Sequence, residues 1–516
     1  MPDAPPHRAA PQPGRRNSAL LYCAAAFLLV WEIARAAIQS ITIDEAHTYW
    51  AFVERQGPTH WIPAANNHIL NSMLMRLAVA VFGASHLTVR APALLGAAIY
   101  LGSVLALAAA IASRPLARLT LFFCLAGNPF VLDFLAAARG YSLALGFLMA
   151  AVALAVRHFR APDRSGAAEK HCAAASLCLG LSFTASFSFG LVDACAAGAL
   201  CFWALHDGWR GRGAWATVRV LAACTLPAMA ATLFLAAPAL LHWPAGELFF
   251  GAGSVMEMFR SVIRDSFCEP NRFLINPLLA GFLDRWHHLI PPLLGAAVLG
   301  HAGVALADRQ TRQTVEFRRT ASLVASLLAV LAATLAGHWA LFHWWRIPLP
   351  MDRTALYSVP LATLACGAAA SLPAASRLAR ASRRAAAAML LVLACYFACC
   401  LRLTWFKDWK FDADGRAAYY TVAWYSRTYR VADVAANWRY VAVLNFYHDL
   451  YRADRLNTPE LVEHYNPARS LFVLYGPDDR EFLEANRLKV VYRGESSGVV
   501  VAIRPEVEAG APCPGG

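Results

Sequence analysis

Charge is scarce in this chain. Asp, Glu, Lys and Arg together make up 15% of its 516 residues, against roughly 25% in soluble globular domains. So little charge cannot clothe a large water-facing surface, which excludes one big soluble domain. Metal knuckles are missing too: the 13 cysteines form no Cys-x-x-Cys pair and no Cys/His ligand spacing. Most lie in apolar runs, where Cys acts as a small hydrophobe, and only Cys268 and Cys513 fall in polar stretches. Neither a disulfide framework nor a metal site is expected. There is no repeat of fixed period, and no low-complexity segment beyond the Pro-rich, basic residues Met1 to Ser18.

Apolar residues are abundant: 58% of the chain is hydrophobic and the mean hydropathy is +0.44. Runs of about 17–25 apolar residues, each long enough to span a bilayer as a helix, recur near 19–40, 87–111, 116–134, 141–157, 171–189, 190–206, 217–241, 288–307, 320–342, 355–372 and 385–402. The expected fold is an all-α polytopic membrane protein of about eleven spans. Charge placement tests that count. Alternating spans put Arg114/Arg118, Arg157/Arg160/Arg164/Lys170, Arg210/Arg212, Arg309/Arg312/Arg318/Arg319 and Arg377/Arg380/Arg383/Arg384 on the N-terminal side. Basic loops stay cytoplasmic, so this side is the cytoplasm, and the net charge of +13 reflects membrane orientation. No nucleic-acid recognition motif accompanies it. Arg15-Arg16 before the first run also suits a secretion signal; the length of that run favours an uncleaved first span with a cytoplasmic N-terminus.

Three external segments stand out: Thr42 to about Ser85, His242 to His288, and everything after Arg402. In the last, polarity rises and short apolar runs alternate with polar stretches. Val441–Leu444, Leu471–Tyr475, Lys489–Tyr492 and Val499–Ile503 read as strands. Asp478 to Arg487, with Glu481 three residues after Asp478, reads as a helix opened by a capping box. The organisation is thus a disordered cytoplasmic 1–18, a multi-span 19–402 and a small extracytoplasmic α/β domain over 403–516.

Asp44-Glu45 lies just beyond the first span. Two adjacent carboxylates at a membrane surface must face water or a protein cavity. One reading makes them the cap of a following helix, with Asp44 capping and Glu45 favouring the helix dipole; the other makes them catalytic. Both can hold together. Further polar groups fall on the same face: Asn66-Asn67-His68-Ile69-Leu70, Gly83-Ala84-Ser85 followed by Arg90-Ala-Pro-Ala-Leu-Leu95, Ala137-Ala138-Arg139-Gly140-Tyr141, and Asp352-Arg353. Arg139 has interfacial snorkelling as its plain reading, Arg353 a simple pair with Asp352, and His68 an ordinary interfacial site. His287-His288, His338, His343, Trp339, Trp344 and Trp345 suit an aromatic belt at span ends. Glu32 and Arg35, one turn apart, read as a self-paired couple.

The order of these pieces resembles the GT-C superfamily of membrane glycosyltransferases. The branch it is similar to is the bacterial one related to protein O-mannosyltransferases and the lipid A aminoarabinose transferase (glycosyltransferase family 39-like). The resemblance covers about residues 19–360. It departs where that branch often has His-Pro-Pro-Leu and Arg-Pro-Tyr, against His68-Ile-Leu and Arg139-Gly-Tyr here. It implies a hexosyl- or pentosyltransferase that uses a polyprenyl-phosphate sugar donor and an envelope acceptor (protein, lipid or polysaccharide). The site would lie on the outer face of a bacterial inner membrane. By the same resemblance Asp44 is the base with Glu45 shaping the site or standing in for it. Arg139 is then the first candidate for the lipid phosphate and Arg353 the second, while Asn67, His68 and Tyr141 line the substrate. No cofactor is implied, a divalent cation being possible without being indicated. A multi-span transporter or lipid flippase is the alternative; repeated halves with broken helices and midplane charges would mark one, and the sequence shows neither.

Overall fold

The computed structural model describes residues 15–160, 167–209, 213–244, 246–451, 456–457 and 465–509. The N-terminal tail expected over 1–18 falls outside this set except for its last four residues, which begin the helix Arg15–Ile38.

Among the described residues eight helices are long and apolar enough to cross a membrane: Ala19–Ile38, His86–Ile111, Tyr141–His158, Phe187–His206, Ala214–Leu241, Pro277–Ala307, Val315–Trp345 and Arg377–Cys399. The chain is a multi-pass membrane protein. A ninth passage is the pair Pro115–Ala126 and Pro129–Ala136, which bend by 62° at their junction. The bend has a local cause. Pro129 has no N–H to continue the first helix, and the Asn128 side chain accepts from the N–H groups of Phe130 and Val131 to cap the second. The remaining two of the eleven expected spans do not meet the criterion. Ala167–Ala185 is helical over 19 residues but carries Glu169-Lys170-His171 in its first turns. Ser358–Ala370 has 13 residues, about 20 Å of helix against a hydrocarbon core of roughly 30 Å.

The helices His86–Ile111, Tyr141–Arg160, Ala167–Ala185 and Ala214–Leu241 pack one against the next. Small residues allow the close approach: a Cβ on Gly96 would sit 2.4 Å from the backbone N of Leu143. At one end of the bundle the basic connections gather. Arg114 lies beside Arg383, and Asp308 and Thr311 accept from the backbone of Ser376 and Ala375.

The other end carries the loops. A buried ion network ties them to the helices: Asp133, on the second helix of the bent pair, receives Arg35 of the first span at 2.5 Å, the Arg402 guanidinium, and the Lys407 N–H at 2.8 Å. Arg35 therefore turns to Asp133 as its nearer partner, with Glu32 at 3.4 Å. The expected Glu32–Arg35 couple is thus present, with Asp133 as a second counter-charge.

After the last span the chain builds a four-stranded sheet in the order β1-β2-β4-β3, from β1 (Val434–Ala436), β2 (Leu471–Tyr475), β3 (Lys489–Arg493) and β4 (Val499–Ile503). β1 runs parallel to β2 and the other pairs are antiparallel. Val441–Leu444, expected as a strand, lies inside the helix Trp438–Tyr451; a four-residue apolar run does not by itself distinguish the two. The capping box expected at Asp478 is also absent. The short helix is Arg480–Ala485, and Asp479 instead accepts from the Tyr475 N–H at 2.7 Å and from Asn437 and Tyr465. The core under the sheet is shared: Val443, Tyr447, Val473 and Val501 belong to one cluster with Ile41, Ala46, Tyr49 and Val89 of the first external segment and the span after it.

Asp133→Asn leaves Arg35 and Arg402 buried without their common anion. Its expected cost is about 3–5 kcal/mol, to be read as a lowered thermal midpoint of the detergent-purified protein.

Candidate active site

The first external segment begins with a helix start that explains the fate of both carboxylates. The Thr42 hydroxyl accepts from the Glu45 N–H at 3.2 Å, and the Glu45 carboxylate accepts from the Thr42 N–H at 2.9 Å, closing a capping box over the helix Ile43–Thr48. Thr42 is thus the cap, a role the sequence had suggested for Asp44. Glu45 is fully buried. It also accepts from Arg90 Nε at 2.8 Å, Arg90 Nη2 at 2.6 Å and the Ala138 N–H at 2.6 Å. The other Arg90 N–H bonds go to the carbonyls of Ala36, Gln39 and Ser40, the orphan acceptors at the end of the first span. A carboxylate receiving four donors has no free oxygen for a substrate.

Asp44 is one step further round the helix and points elsewhere. Its side chain is 22% exposed. Oδ2 accepts from the Trp409 indole N–H at 3.2 Å and lies 3.7 Å from Arg353 Nη2. Oδ1 has no hydrogen-bond partner among the described residues. Burial pushes the Asp44 carboxyl up, but Arg139, Arg353 and the Trp409 N–H outweigh it and hold the group below the ordinary carboxylate range. Asp44 is a carboxylate with one oxygen held and one open.

The two arginines around it differ. Arg139 is 1% exposed. Its guanidinium reaches Thr48 Oγ1 at 2.8 Å, the Asp44 carbonyl at 3.4 Å and the Asn66 side-chain oxygen. Arg353 keeps 26% of its side chain exposed, stacks on Phe250 at 5.2 Å and lies beside the Tyr141 hydroxyl. It does not pair with Asp352, contrary to the simple ion-pair reading. Asp352 adopts a left-handed backbone with φ of 49° and accepts from Arg264 at 2.8 Å, which leaves Arg353 facing Asp44.

His68 and Tyr141 pack edge-to-face at 4.9 Å. His68 Nδ1 donates to the Ala185 carbonyl at 3.1 Å, while Nε2 is buried without a partner. Burial and the nearby Arg139 and Arg353 hold this imidazole well below its ordinary value, so it is neutral with Nε2 as an acceptor. Gly140 is what lets these groups meet. A Cβ there would lie 1.8 Å from the Ala185 oxygen and 2.7 Å from His68 Cβ. Asn67, expected to line the substrate, is turned into the loop: its amide donates to the carbonyls of His60 and Ile62 and its oxygen accepts from Ser72. The neighbouring Asn66 is the one that meets Arg139.

The structure therefore brings together Asp44, Arg139, Arg353, His68 and Tyr141, and withdraws Glu45 and Asn67 into supporting contacts. Arg90, Asn66 and Trp409 went unassigned in the sequence. Arg90 had a signal, an arginine at the start of a span that must have a buried partner; Trp409 had none, lying 365 positions from Asp44. Among the described residues no three His, Cys, Asp or Glu side chains converge as a metal site.

Glu45→Gln puts an amide N–H against donors, so a stability loss of about 3 kcal/mol or more is expected. Asp44→Asn, at the half-open position, is expected to change the thermal midpoint little. Thermal unfolding of the two variants side by side checks the contrast.

No family model and no curated protein matches this chain. Among solved structures it is similar to ArnT from Cupriavidus metallidurans in the apo state, at 14% identity and a TM-score of 0.48 over 96% of this chain and 98% of that one. The same protein bound to undecaprenyl phosphate gives 12% and 0.44 over 95% and 98%. The archaeal oligosaccharyltransferase AglB from Archaeoglobus fulgidus, in complex with an inhibitory peptide and a dolichol-phosphate, gives 12% and 0.43 over 84% and 64%. Likenesses at this level leave the function to be read from the site.

Proposed function

We propose that this chain is a membrane glycosyltransferase that moves a sugar from a polyprenyl-phosphate donor to a hydroxyl on an envelope acceptor, at the outer face of a bacterial inner membrane. The observation that carries the reading is Asp44: an ionised carboxylate with Oδ2 held by Trp409 and Oδ1 open, faced by the partly exposed Arg353.

In this reading Oδ1 takes the proton of the acceptor hydroxyl. The acceptor oxygen bonds to the anomeric carbon as the bond from that carbon to the phosphate oxygen breaks, and its electron pair leaves with the polyprenyl phosphate. Phosphate departs as a stable anion, so no second carboxyl is required as an acid, in contrast to a glycoside hydrolase. Arg353 is the group placed to hold the departing phosphate charge. Arg139 ranks behind it, because its guanidinium is buried and already engaged by Thr48 and Asn66; it holds the helix that carries the base. The buried, unpartnered Nε2 of His68, packed against the ring of Tyr141, is the acceptor on this side of the site. Glu45 shapes the site through Arg90. The reaction so drawn calls for no cofactor. The basic helix ends on the opposite side support a cytoplasmic N-terminus and an outer-face tail.

Asp44→Asn is expected to lower transfer at least 1,000-fold, within the range of about 10²–10⁴ for a lost general base. The assay is label transfer from polyprenyl-phosphate sugars to envelope extract by the protein in proteoliposomes; near-normal transfer would falsify the base assignment. The lowered Asp44 value keeps the base ionised through neutral pH, so the rate is expected to stay level near neutrality and to drop only as pH falls through that depressed value. Arg353→Met is expected to raise the donor KM more than the acceptor KM, and equal effects on both would make Arg353 structural. A reporter active only outside the cytoplasm, fused after Arg402, tests the orientation.

A further inference from the structure

The segment that follows the last span approaches the base from the far end of the chain. Its path is fixed by the Asp133 network: Arg402 and the Lys407 N–H both bind Asp133. Two residues on, the Trp409 ring is buried, edge-on to Phe134 at 5.3 Å and to Phe406 at 6.0 Å. A ring gripped on two sides has one orientation, and in it the indole N–H points at Asp44 Oδ2. Three residues further, Asp412 accepts from the Ile43 N–H at 2.7 Å, so the same short stretch holds both the backbone and the side chain of the base-bearing turn. Tyr447 adds a third hook, its hydroxyl accepting from the Ile41 N–H at 2.9 Å.

We propose that Trp409 is the positioning residue of the base: its N–H selects the Asp44 rotamer in which Oδ2 is held and Oδ1 faces the acceptor. This rests on the reading of Asp44 as the base. It changes the role of the region after the last span, whose first turns complete the active site as well as leading to the sheet. An indole N–H is suited to the task. It donates one bond, cannot accept the proton that Asp44 takes, and carries no charge that would compete with Arg353 for the phosphate.

The charged and titratable groups facing Asp44 are Arg139, Arg353, His47, Tyr141 and Asp412. Burial and Arg139 hold His47 below its ordinary value, and burial raises Asp412 well above its own. The groups that stabilise the carboxylate are Arg139, Arg353, the Trp409 N–H and His47. Removing that N–H takes away one stabiliser of the ionised form. The Asp44 value then rises, and the acid side of the rate profile moves to higher pH.

The test uses the full-length protein in proteoliposomes with polyprenyl-phosphate sugar donor and envelope acceptor. Trp409→Phe keeps the aromatic packing and loses the donor; 3-benzothienylalanine placed at position 409 keeps the ring shape and replaces only the N–H. Both are expected to lower kcat about tenfold or more, as befits a lost hydrogen bond to a charged group. The donor KM should stay within about twofold, and the acid limb should shift upward. A purely structural role would leave that limb in place. Unchanged kcat and an unchanged limb in the isosteric variant overturn the proposal. So does failure of that variant to fold, which would make the bond a folding contact. A wild-type protein that transfers nothing from such donors overturns the glycosyltransferase reading instead, and the two failures are thereby told apart.

Discussion

The carboxylate of Glu45 and the guanidinium of Arg90 form the contact on which this end of the molecule is built. A buried guanidinium has five N–H groups to satisfy. Here two go to Glu45 and the rest to the last carbonyls of the first span. Glu45 completes its set with the N–H groups of Thr42 and Ala138. One ion pair thus joins the end of the first span, the start of the span His86–Ile111, the turn before Tyr141 and the helix Ile43–Thr48. Because successive helical side chains point about 100° apart, drawing Glu45 inward turns Asp44 outward, toward Arg353 and Trp409. The availability of Asp44 follows from the unavailability of its neighbour.

Charge in this protein has two uses, separated by exposure. At Glu45–Arg90 and at Asp133 it is sealed in and each carboxylate oxygen meets a donor, since an unpaired ion in so apolar a body would be costly. At Asp44 the pairing is left incomplete on purpose-built terms: one oxygen engaged, one open, with an arginine close by and partly exposed. The sealed networks are rigid supports for the incomplete one. Asp133 illustrates the dependence, since it fixes the segment that brings Trp409 to Asp44.

The sheet after the last span is no appendage. Its helix Trp438–Tyr451 packs against Ile43–Thr48, and their apolar residues form a single core. Arg416 strengthens the join by donating to the carbonyls of Ala37 and Ile38, further orphan acceptors of the first span. Substitutions far along the chain can therefore be felt at residue 44.

The sequence by itself determined the membrane class, most of the spans, the charge difference between the two ends and the face on which Asp44, His68, Arg139, Tyr141 and Arg353 gather. These depend on composition and on order along the chain, which hydropathy and loop charge record directly. Three of the four strands were readable for the same reason, as β-branched runs between turns. The break at Asn128-Pro129, the 13-residue length of Ser358–Ala370 and the helix through Val441–Leu444 depend on local geometry that a hydropathy window averages away. Only the tertiary structure decided which carboxylate is sealed and which is open, that Asp352 goes to Arg264 and frees Arg353, and that a tryptophan 365 residues away completes the site. Each of those is a choice of partner across space, and a buried charge takes the partner that packing brings nearest.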